Sequence, residues 1–306
     1  FIKNYIEDDP GIPFTAVYGV KERFTPALQP TTRKIDGKWD VLFVGESGDT
    51  TRNVGIFKSD GNIVSGSILT NSGDLRFLEG AYTGEGVQLS AFGGLSPYYI
   101  DLTFTADTLF GGTFHTTRGI TELQGTKNDA AALADAYSLA GLKPGYETLS
   151  FSLPDLEGNT VSLSDERYKG KVVIVSILGS WCPNCLDEMA FLAPWYEENK
   201  ERGVEILGIS FERKNDEAYA RKAISQLRKR YNTGYPILFG GAVGKENVAG
   251  ALPELDNFSS YPTTLFIDKL GKVRTIHTGF NGPATGLFYE EFIKEFNVLV
   301  NNLLGE

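Results

Sequence analysis

Hydrophobic positions recur at two different periods along this chain, and the change falls near residue 128. From Lys38 to Thr116 apolar residues alternate or form short runs, separated by turn residues such as Ser59–Asn62 and Thr83–Gly86. Three successive hairpins with short turns are typical of antiparallel sheets. The pattern predicts an all-β antiparallel meander or barrel-like domain over residues 1–127. Its role, in binding, dimerisation or architecture, is left open.

The next segment has a different composition. Residues 129–140 are rich in alanine and leucine, which are strong helix formers, and Gly141 and Pro144-Gly145 then interrupt them. We therefore predict a connecting helix and linker over residues 128–145.

Residues 146–306 alternate between apolar runs and longer amphipathic segments, which is the pattern of an α/β domain. Val172–Leu178 is almost wholly apolar, as expected of a central strand buried on both faces. Thr160–Leu163 is expected to be an edge strand. The predicted architecture is a central mixed sheet flanked by helices. Further strands are expected at 204–211, 237–239, 265–268 and 273–278, and helices at 184–200, 216–231 and 287–304.

Charge and hydropathy exclude several classes of function. The net charge is −10, neither half is basic, and no cluster of Lys and Arg favours nucleic acid. No apolar run reaches membrane-spanning length. The chain begins with Phe1 rather than Met, which indicates a processed or trimmed chain. An export signal or a lipid-anchor cysteine would then have belonged to the removed segment.

Both cysteines of the protein lie in Trp181-Cys182-Pro183-Asn184-Cys185, directly after the apolar run 172–178 and before a helical pattern. A cysteine at a helix N-terminus meets unpaired N–H groups and the positive end of the helix dipole, and both favour the nucleophilic thiolate. A second cysteine one turn away can form a disulfide and release a bound partner. The spacing therefore predicts redox chemistry with no metal and no cofactor.

Three alternative roles for the cysteine pair carry less weight. Two buried free thiols would pack as small hydrophobic groups, but chance rarely gives the only two cysteines this spacing. A zinc half-site needs further ligands, and His115 and His277 lie far apart in sequence. A structural disulfide closing so short a loop would constrain the unfolded chain little.

The C-terminal half resembles the thioredoxin superfamily, specifically the exported TlpA/ResA-like thiol–disulfide oxidoreductases. The resemblance covers residues 143–306. It rests on the stretch from Gly179 to Cys185, on Glu188, and on Tyr261-Pro262-Thr263-Thr264 followed by the stretch from Leu265 to Gly271. The whole chain also looks like two-domain TlpA-like proteins of Bacteroidetes, which have an N-terminal β domain of unassigned role.

The resemblance implies a reductase of disulfides in exported partner proteins, reset by an upstream thiol reductant. It implies a periplasmic or exported location, with a lipid anchor on a segment outside this chain as one option. It also implies a cis peptide bond between Tyr261 and Pro262, beside the cysteine pair. In the superfamily that the chain resembles, the two positions that Pro183 and Asn184 occupy tune the redox potential. The sequence sets neither the direction of electron transfer nor the oligomeric state.

Glu188 matches an active-site glutamate of the ResA-like branch. On the predicted helix it falls one turn beyond Cys185, where a carboxylate could transfer protons to or from sulfur. The alternative is a solvated helix carboxylate. Glu212 lies at the end of a predicted strand, where side chains point toward the site, and is a second candidate for this role in proton transfer, although we expect it to be solvent-exposed. Ser176 stands where thioredoxins often have a buried acid, and the Trp181 ring is expected to cover the cysteine pair.

Two functions of other classes remain as alternatives. One is a thioredoxin-fold module that handles metal or haem, although copper chaperones of this fold usually have CxxxC and a partnering histidine. Here the spacing is CxxC, and His277 lies outside the proline motif. The other is a binding protein whose β domain has the main role. A peroxidase is disfavoured because no Thr-x-x-Cys motif ends at Cys182.

Overall fold

The structure is a computed structural model that describes residues 18–19, 23–24, 33–93 and 97–306. The described residues divide into two compact units: those up to residue 70 together with those between 74 and 133, and residues 71–73 together with 134–306. Most of the stretch 1–32, which the sequence assigned to the β domain, lies outside the described residues. The domain boundaries predicted from the sequence stay predictions.

The first unit is built on an antiparallel sheet that closes on itself. β1 pairs with both β2 and β9, and the remaining neighbours in the ring pair in turn through β3, β5, β6, β7 and β8. This closure confirms the predicted all-β, barrel-like architecture. The strands are β1 (Gly37–Val44), β2 (Thr50–Asp60), β3 (Ile63–Thr70), β4 (Gly73–Asp74), β5 (Leu78–Thr83), β6 (Gly86–Phe92), β7 (Pro97–Ala106), β8 (Leu109–Thr116) and β9 (Gly119–Lys127).

Large apolar side chains fill the interior of this ring. Trp39 and Tyr82 are completely buried, and both form a hydrogen bond with the backbone of Ile35. The Trp39 indole N–H donates to the carbonyl oxygen of Ile35 at 2.7 Å, and the backbone N–H of Ile35 donates to the Tyr82 hydroxyl at 3.0 Å. Polar groups of buried aromatic residues are thus satisfied. The alternation of buried Ile100, Leu102 and Phe104 with more exposed residues in β7 is the period-two pattern expected of a strand with one face inward.

The predicted connecting helix is wrong. The stretch 128–135 has no helix, and one short 3₁₀ helix follows at Ala136–Ser138. Side chains at both ends compete with helical hydrogen bonding, because Asn128 Oδ1 accepts the Ala130 amide and Asp135 Oδ1 accepts the Tyr137 amide. A segment this short depends on tertiary packing, which here overrides helix propensity.

The second unit contains a central sheet and shorter strand pairs. Its strands are β10 (Gly141–Leu142), β11 (Ser152–Pro154), β12 (Thr160–Ser162), β13 (Val172–Leu178), β14 (Val204–Glu212), β15 (Ile237–Ala242), β16 (Leu255–Asp256), β17 (Thr263–Ile267) and β18 (Val273–Thr278). The central sheet has five strands in the order β15-β14-β13-β17-β18. β13 is parallel to β14, which is parallel to β15, while β17 and β18 run antiparallel to their neighbours. The expected mixed sheet with flanking helices is therefore confirmed.

Four α-helices accompany this sheet: α1 (Pro183–Asn199), α2 (Glu217–Tyr231), α3 (Lys245–Ala251) and α4 (Leu287–Gly305). Short 3₁₀ helices lie at Glu166–Tyr168, Lys200–Arg202 and Pro283–Thr285. Every residue of β13 is buried, as predicted, and its alternate side chains enter two hydrophobic clusters. Among the described residues, no helix combines the length and apolarity needed to cross a membrane.

One predicted strand lies elsewhere. The edge strand expected at Thr160–Leu163 is β12, which ends at Ser162 and pairs with β11 in a separate two-stranded ribbon rather than with the central sheet. The turn between them explains this pairing. Asp155 accepts the amides of Glu157 and Asn159, which folds the chain back on itself.

Candidate active site

A disulfide joins Cys182 and Cys185 at the start of α1, with 5.3 Å between the two Cα atoms. Cys182 is the N-cap residue, with extended backbone, and its sulfur accepts the backbone N–H of Cys185 at 3.2 Å. Pro183 follows at the first helical position, where a missing N–H costs little because that group would have no helical partner. The helix start thus directs an N–H group at the first sulfur.

The two cysteines differ in their access to solvent. Cys182 retains 5% of its surface exposed, whereas Cys185 is completely buried. The sulfur of Cys182 also lies 3.5 Å from the carbonyl oxygen of Tyr261. Both cysteines are thus largely buried, and Cys182 is the one of the pair that keeps some contact with solvent.

The Tyr261–Pro262 peptide bond is cis. It lies immediately before β17, and the carbonyl oxygen of Pro262 accepts the amide of Gly279 at 2.8 Å. Although 79 residues separate Tyr261 from Cys182 in sequence, the sheet brings them into contact. Two of the sequence motifs thus meet at one place.

Trp181 is anchored from several sides. Its indole N–H donates to the carbonyl oxygen of Phe211 at 2.9 Å, and its ring meets that of Tyr261 edge-on, with 5.3 Å between centroids. The Arg213 guanidinium lies over the Trp181 ring at 5.5 Å. The indole therefore forms a fixed wall between the end of β14 and the proline loop. Its expected covering of the disulfide stays a prediction.

Asn184 occupies the second central position of the motif and is half-buried. Its side-chain amide donates to the carbonyl oxygen of Phe280 at 3.4 Å. This contact ties the start of α1 to the loop that follows β18. The tuning of the redox potential by Pro183 and Asn184 stays a prediction.

Glu188 lies in α1 one turn beyond Cys185 and is buried, with 1% of its surface exposed. The hydroxyl groups of Ser176 and Thr264 each donate to one of its carboxylate oxygens at 2.6 Å. Burial raises the pKa of Glu188 to about 7, because a charged carboxylate is poorly solvated there, and the two hydrogen bonds oppose part of that rise. The alternative of a solvated helix carboxylate is wrong.

The contact between Ser176 and Glu188 bears on the absence of a buried acidic residue at position 176. The strand has a hydroxyl where thioredoxins often have a carboxylate, and α1 supplies the carboxylate from Glu188 instead. The roles of Ser176 and Thr264 as donors were missed by sequence reasoning. A hydroxyl within the otherwise apolar strand Val172–Leu178 was the available signal, since a buried hydroxyl needs a hydrogen-bond partner.

The expectation that Glu212 is solvent-exposed is also wrong. Glu212 is completely buried at the end of β14. It accepts three hydrogen bonds: from the Ser180 amide at 3.1 Å, from the Ser180 hydroxyl at 2.5 Å and from the Ser210 hydroxyl at 2.6 Å. A carboxylate with three donors can be buried without a counter-ion. Glu212 therefore holds the loop that leads into Trp181 and Cys182.

Comparisons with known proteins agree with this geometry. The AhpC/TSA family matches residues 144–276. The thiol-disulfide oxidoreductase ResA of Bacillus thuringiensis is 32% identical over 153 residues, which cover 49% of this chain and 77% of that protein. ResA of Halalkalibacterium halodurans is 28% identical over 152 residues, covering 50% of this chain and 76% of that protein.

Two solved structures of Bacteroides proteins are also similar. A thiol-disulfide oxidoreductase of Bacteroides fragilis has 22% identity and a TM-score of 0.37, covering 48% of this chain and 99% of its own. The thioredoxin domain of a thiol-disulfide oxidoreductase of Bacteroides vulgatus has 24% identity and a TM-score of 0.37, covering 50% and 99%.

The sheet order, the helix-capping disulfide and the relatives together define a thiol–disulfide oxidoreductase of the thioredoxin superfamily. The chain belongs to the ResA/TlpA-like family of these enzymes, through its C-terminal half.

Proposed function

We propose that the Cys182–Cys185 pair is the redox centre of this oxidoreductase and that it reduces disulfides in exported partner proteins. The observation that carries the proposal is the unequal burial of the two cysteines at the N-terminus of α1. The cysteine that keeps some solvent contact, and whose sulfur accepts a backbone N–H, is suited to attack. The fully buried cysteine one turn away is suited to resolve the product.

The exchange proceeds in two balanced steps. In the dithiol form, the thiolate of Cys182 attacks one sulfur of the partner's disulfide, and the other partner sulfur leaves as a thiolate. Cys185 then loses its proton and attacks the Cys182 sulfur, which releases the second partner sulfur. The partner gains two electrons and, at neutral pH, two protons, while Cys182 and Cys185 become a disulfide. An upstream thiol reductant of the same chemical class restores the dithiol.

Glu188 is the group that we assign to proton transfer at Cys185. The two residues lie one helical turn apart on α1, and both are buried. A carboxyl group with a pKa of about 7 changes its protonation readily at neutral pH, which is the condition for efficient acid–base catalysis. Glu188 accepts the Cys185 proton as the thiolate forms and returns a proton when the pair is reduced again.

The backbone at Tyr261 is the docking point that we propose for the partner. An extended peptide can pair with exposed backbone in the manner of an added strand. The Pro262 carbonyl is already bonded to Gly279, whereas the Tyr261 carbonyl faces the Cys182 sulfur at 3.5 Å. A partner segment that pairs at Tyr261 would therefore bring its disulfide to Cys182.

The proposed direction of electron transfer and the proposed cellular location of the protein follow from the family rather than from the geometry. The same atoms support oxidation or reduction, and the resemblance to ResA-like proteins favours reduction in a periplasmic or otherwise exported setting. Attachment to a membrane by a lipid would require a segment outside this chain. The proposal holds for a monomer and for an oligomer alike.

Single-cysteine variants test this function, because the chain has two cysteines and each variant leaves one thiol. The reduced protein should reduce insulin disulfides, and Cys182→Ser should abolish turnover. Cys185→Ser should accumulate a mixed disulfide that dithiothreitol releases. The double variant Cys182→Ser/Cys185→Ser sets the background. Full turnover by Cys182→Ser, or mixed disulfides formed equally by both single variants, would refute the proposal.

A further inference from the structure

We propose that Arg213 selects partner segments that have a carboxylate side chain close to their reactive cysteine. The inference rests on the disulfide exchange proposed above for Cys182, and it names a chemical feature of the substrate. Arg213 directly follows Glu212, the last residue of β14, and the carboxyl ends of parallel strands are where such sheets place their binding residues. Arg213 lies against Trp181, which directly precedes Cys182.

The Arg213 side chain rests on an aromatic support. Its guanidinium carbon lies 5.5 Å from the centre of the Trp181 ring. That ring is itself fixed, because its N–H donates to the Phe211 carbonyl oxygen and it meets the Tyr261 ring edge-on. A stacked guanidinium keeps its N–H donors in the plane of the group, where they can form paired hydrogen bonds with a carboxylate. Since the side chain is already held in place, little side-chain entropy is lost when a partner binds.

The positive charge of Arg213 is left uncompensated. Within the part of the chain that the structure describes, its side chain has neither an ion pair nor a hydrogen-bond acceptor, and the residue is partly buried. The neighbouring Glu212 carboxylate is engaged elsewhere, because its oxygens accept hydrogen bonds from Ser180 and Ser210. The Nε–H of Arg213 is sealed from solvent, so the two Nη groups are the donors left for a partner. A carboxylate would supply the counter-charge that a partly buried cation lacks.

The distances in the site set how far the carboxylate lies from the partner's cysteine. The Tyr261 carbonyl oxygen lies 3.5 Å from the Cys182 sulfur, and 5.3 Å separates the ring centres of Tyr261 and Trp181. The Arg213 guanidinium is therefore within about 11 Å of the Tyr261 ring, a length that an extended chain covers in about three residues. We expect the recognised aspartate or glutamate within about three residues of the cysteine that Cys182 attacks.

The other charges around the site make this preference local. The chain has a net charge of −10, so its overall field does not attract an acidic partner. Glu246, which is exposed on α3, opposes a carboxylate here, because its charge also acts on Tyr261. Lys214 adds a positive charge beside Arg213, but it is exposed and screened by solvent. Arg213 is therefore the residue that we expect to set the preference.

Exchange with matched peptides tests the inference. The reduced full chain with Cys185→Ser is mixed with a peptide whose single cysteine is joined by a disulfide to thiopyridine. The Cys182 thiolate bonds to the peptide sulfur, and thiopyridine leaves and is measured by its absorbance. Each peptide has blocked termini and one glutamate, two or three residues before or after the cysteine, and its twin has lysine there. At the best position the glutamate peptide should react roughly tenfold faster than its twin. Raising the ionic strength to about 0.5 M should reduce this ratio.

Variants in the same background assign the ratio of the two rates to Arg213. Arg213→Gln should bring the ratio close to one. Arg213→Lys should keep part of it, since lysine retains the charge and loses the paired donors. Glu246→Gln should increase the ratio, because it removes the opposing carboxylate. Lys214→Gln is the matched control, an exposed cation at the next position, and should leave the ratio unchanged.

Two results would overturn the inference and leave the proposed function intact: equal rates for every glutamate peptide and its lysine twin, or an equal slowing of both by Arg213→Gln. Absence of exchange with every peptide would refute the inference and the proposed function together. Circular dichroism checks that each variant is folded. The ratio measured without any change at Arg213, and its dependence on salt, test the inference even where a variant unfolds.

Discussion

The hydroxyl of Ser176 in β13 donates a hydrogen bond to the carboxylate of Glu188 in α1 at 2.6 Å. The strand and the helix thus share a buried polar contact, one helical turn beyond Cys185. The second carboxylate oxygen is bonded to Thr264 in β17. Burial raises the pKa of Glu188 and the two hydrogen bonds lower it, so that the pKa lies at about 7.

Replacement of Glu188 by glutamine should slow disulfide exchange near pH 7 by roughly 10- to 100-fold, because the side chain can no longer accept a proton. The inflection that Glu188 contributes near pH 7 should also disappear from the pH–rate profile of insulin reduction. Glu198→Gln, on an exposed site of the same helix, is the control. An unchanged profile in Glu188→Gln would show that Glu188 has no part in proton transfer.

Loss of either hydroxyl donor should raise the pKa of Glu188 above 7, because each bond stabilises the carboxylate. The variants are Ser176→Ala and Thr264→Val, and infrared titration of the buried carboxyl group is the measurement. Ser164→Ala, an exposed serine outside this cluster, should leave the titration unchanged. A lowered pKa in both test variants would contradict the assigned hydrogen-bond directions.

Glu188 should make the folded state less stable as pH rises from about 4.5 to about 7. In that window the unfolded chain has lost the Glu188 proton while the folded protein still binds it, so the free energy of unfolding falls by about 3 kcal/mol. His277 acts in the opposite sense, because burial lowers its pKa to about 4.

Urea unfolding of the wild type and Glu188→Gln at several pH values isolates this effect, since the contribution of His277 cancels in the difference. The variant should gain stability relative to the wild type across the window and show a constant difference above it. A difference independent of pH between 4.5 and 7 would contradict the raised pKa.

Replacement of Glu212 by glutamine should destabilise the protein by about 1 to 3 kcal/mol. The two carboxylate oxygens of Glu212 accept three hydrogen bonds, and glutamine replaces one of these oxygens by an NH₂ group, which donates instead of accepting. Urea denaturation of the variant and of the wild type measures this loss of stability. Exposed Glu201→Gln is the control, and equal stabilities for the two variants would rule out the anchoring role.

The cysteine motif and the strands of the redox domain could be predicted because their signals are local. An apolar run such as Val172–Leu178 implies a buried strand, and two cysteines at the start of a helix imply redox chemistry. β9 was not predicted, since its sequence is largely polar and two of its nine residues, Leu123 and Gly125, are buried. The Ala-rich connector was predicted as a helix because propensity ignores the capping side chains at its ends.

The amino-acid sequence was enough to identify the groups that we propose carry the chemistry: two cysteines, one proline motif and a glutamate one helical turn beyond the second cysteine. Tertiary structure alone decided their environment. Glu188 meets Ser176 and Thr264, which lie 12 and 76 residues away in the chain, and Glu212 meets Ser180 across 32 residues. A pKa depends on the solvent and the dipoles that surround a group in space, and sequence spacing does not specify those.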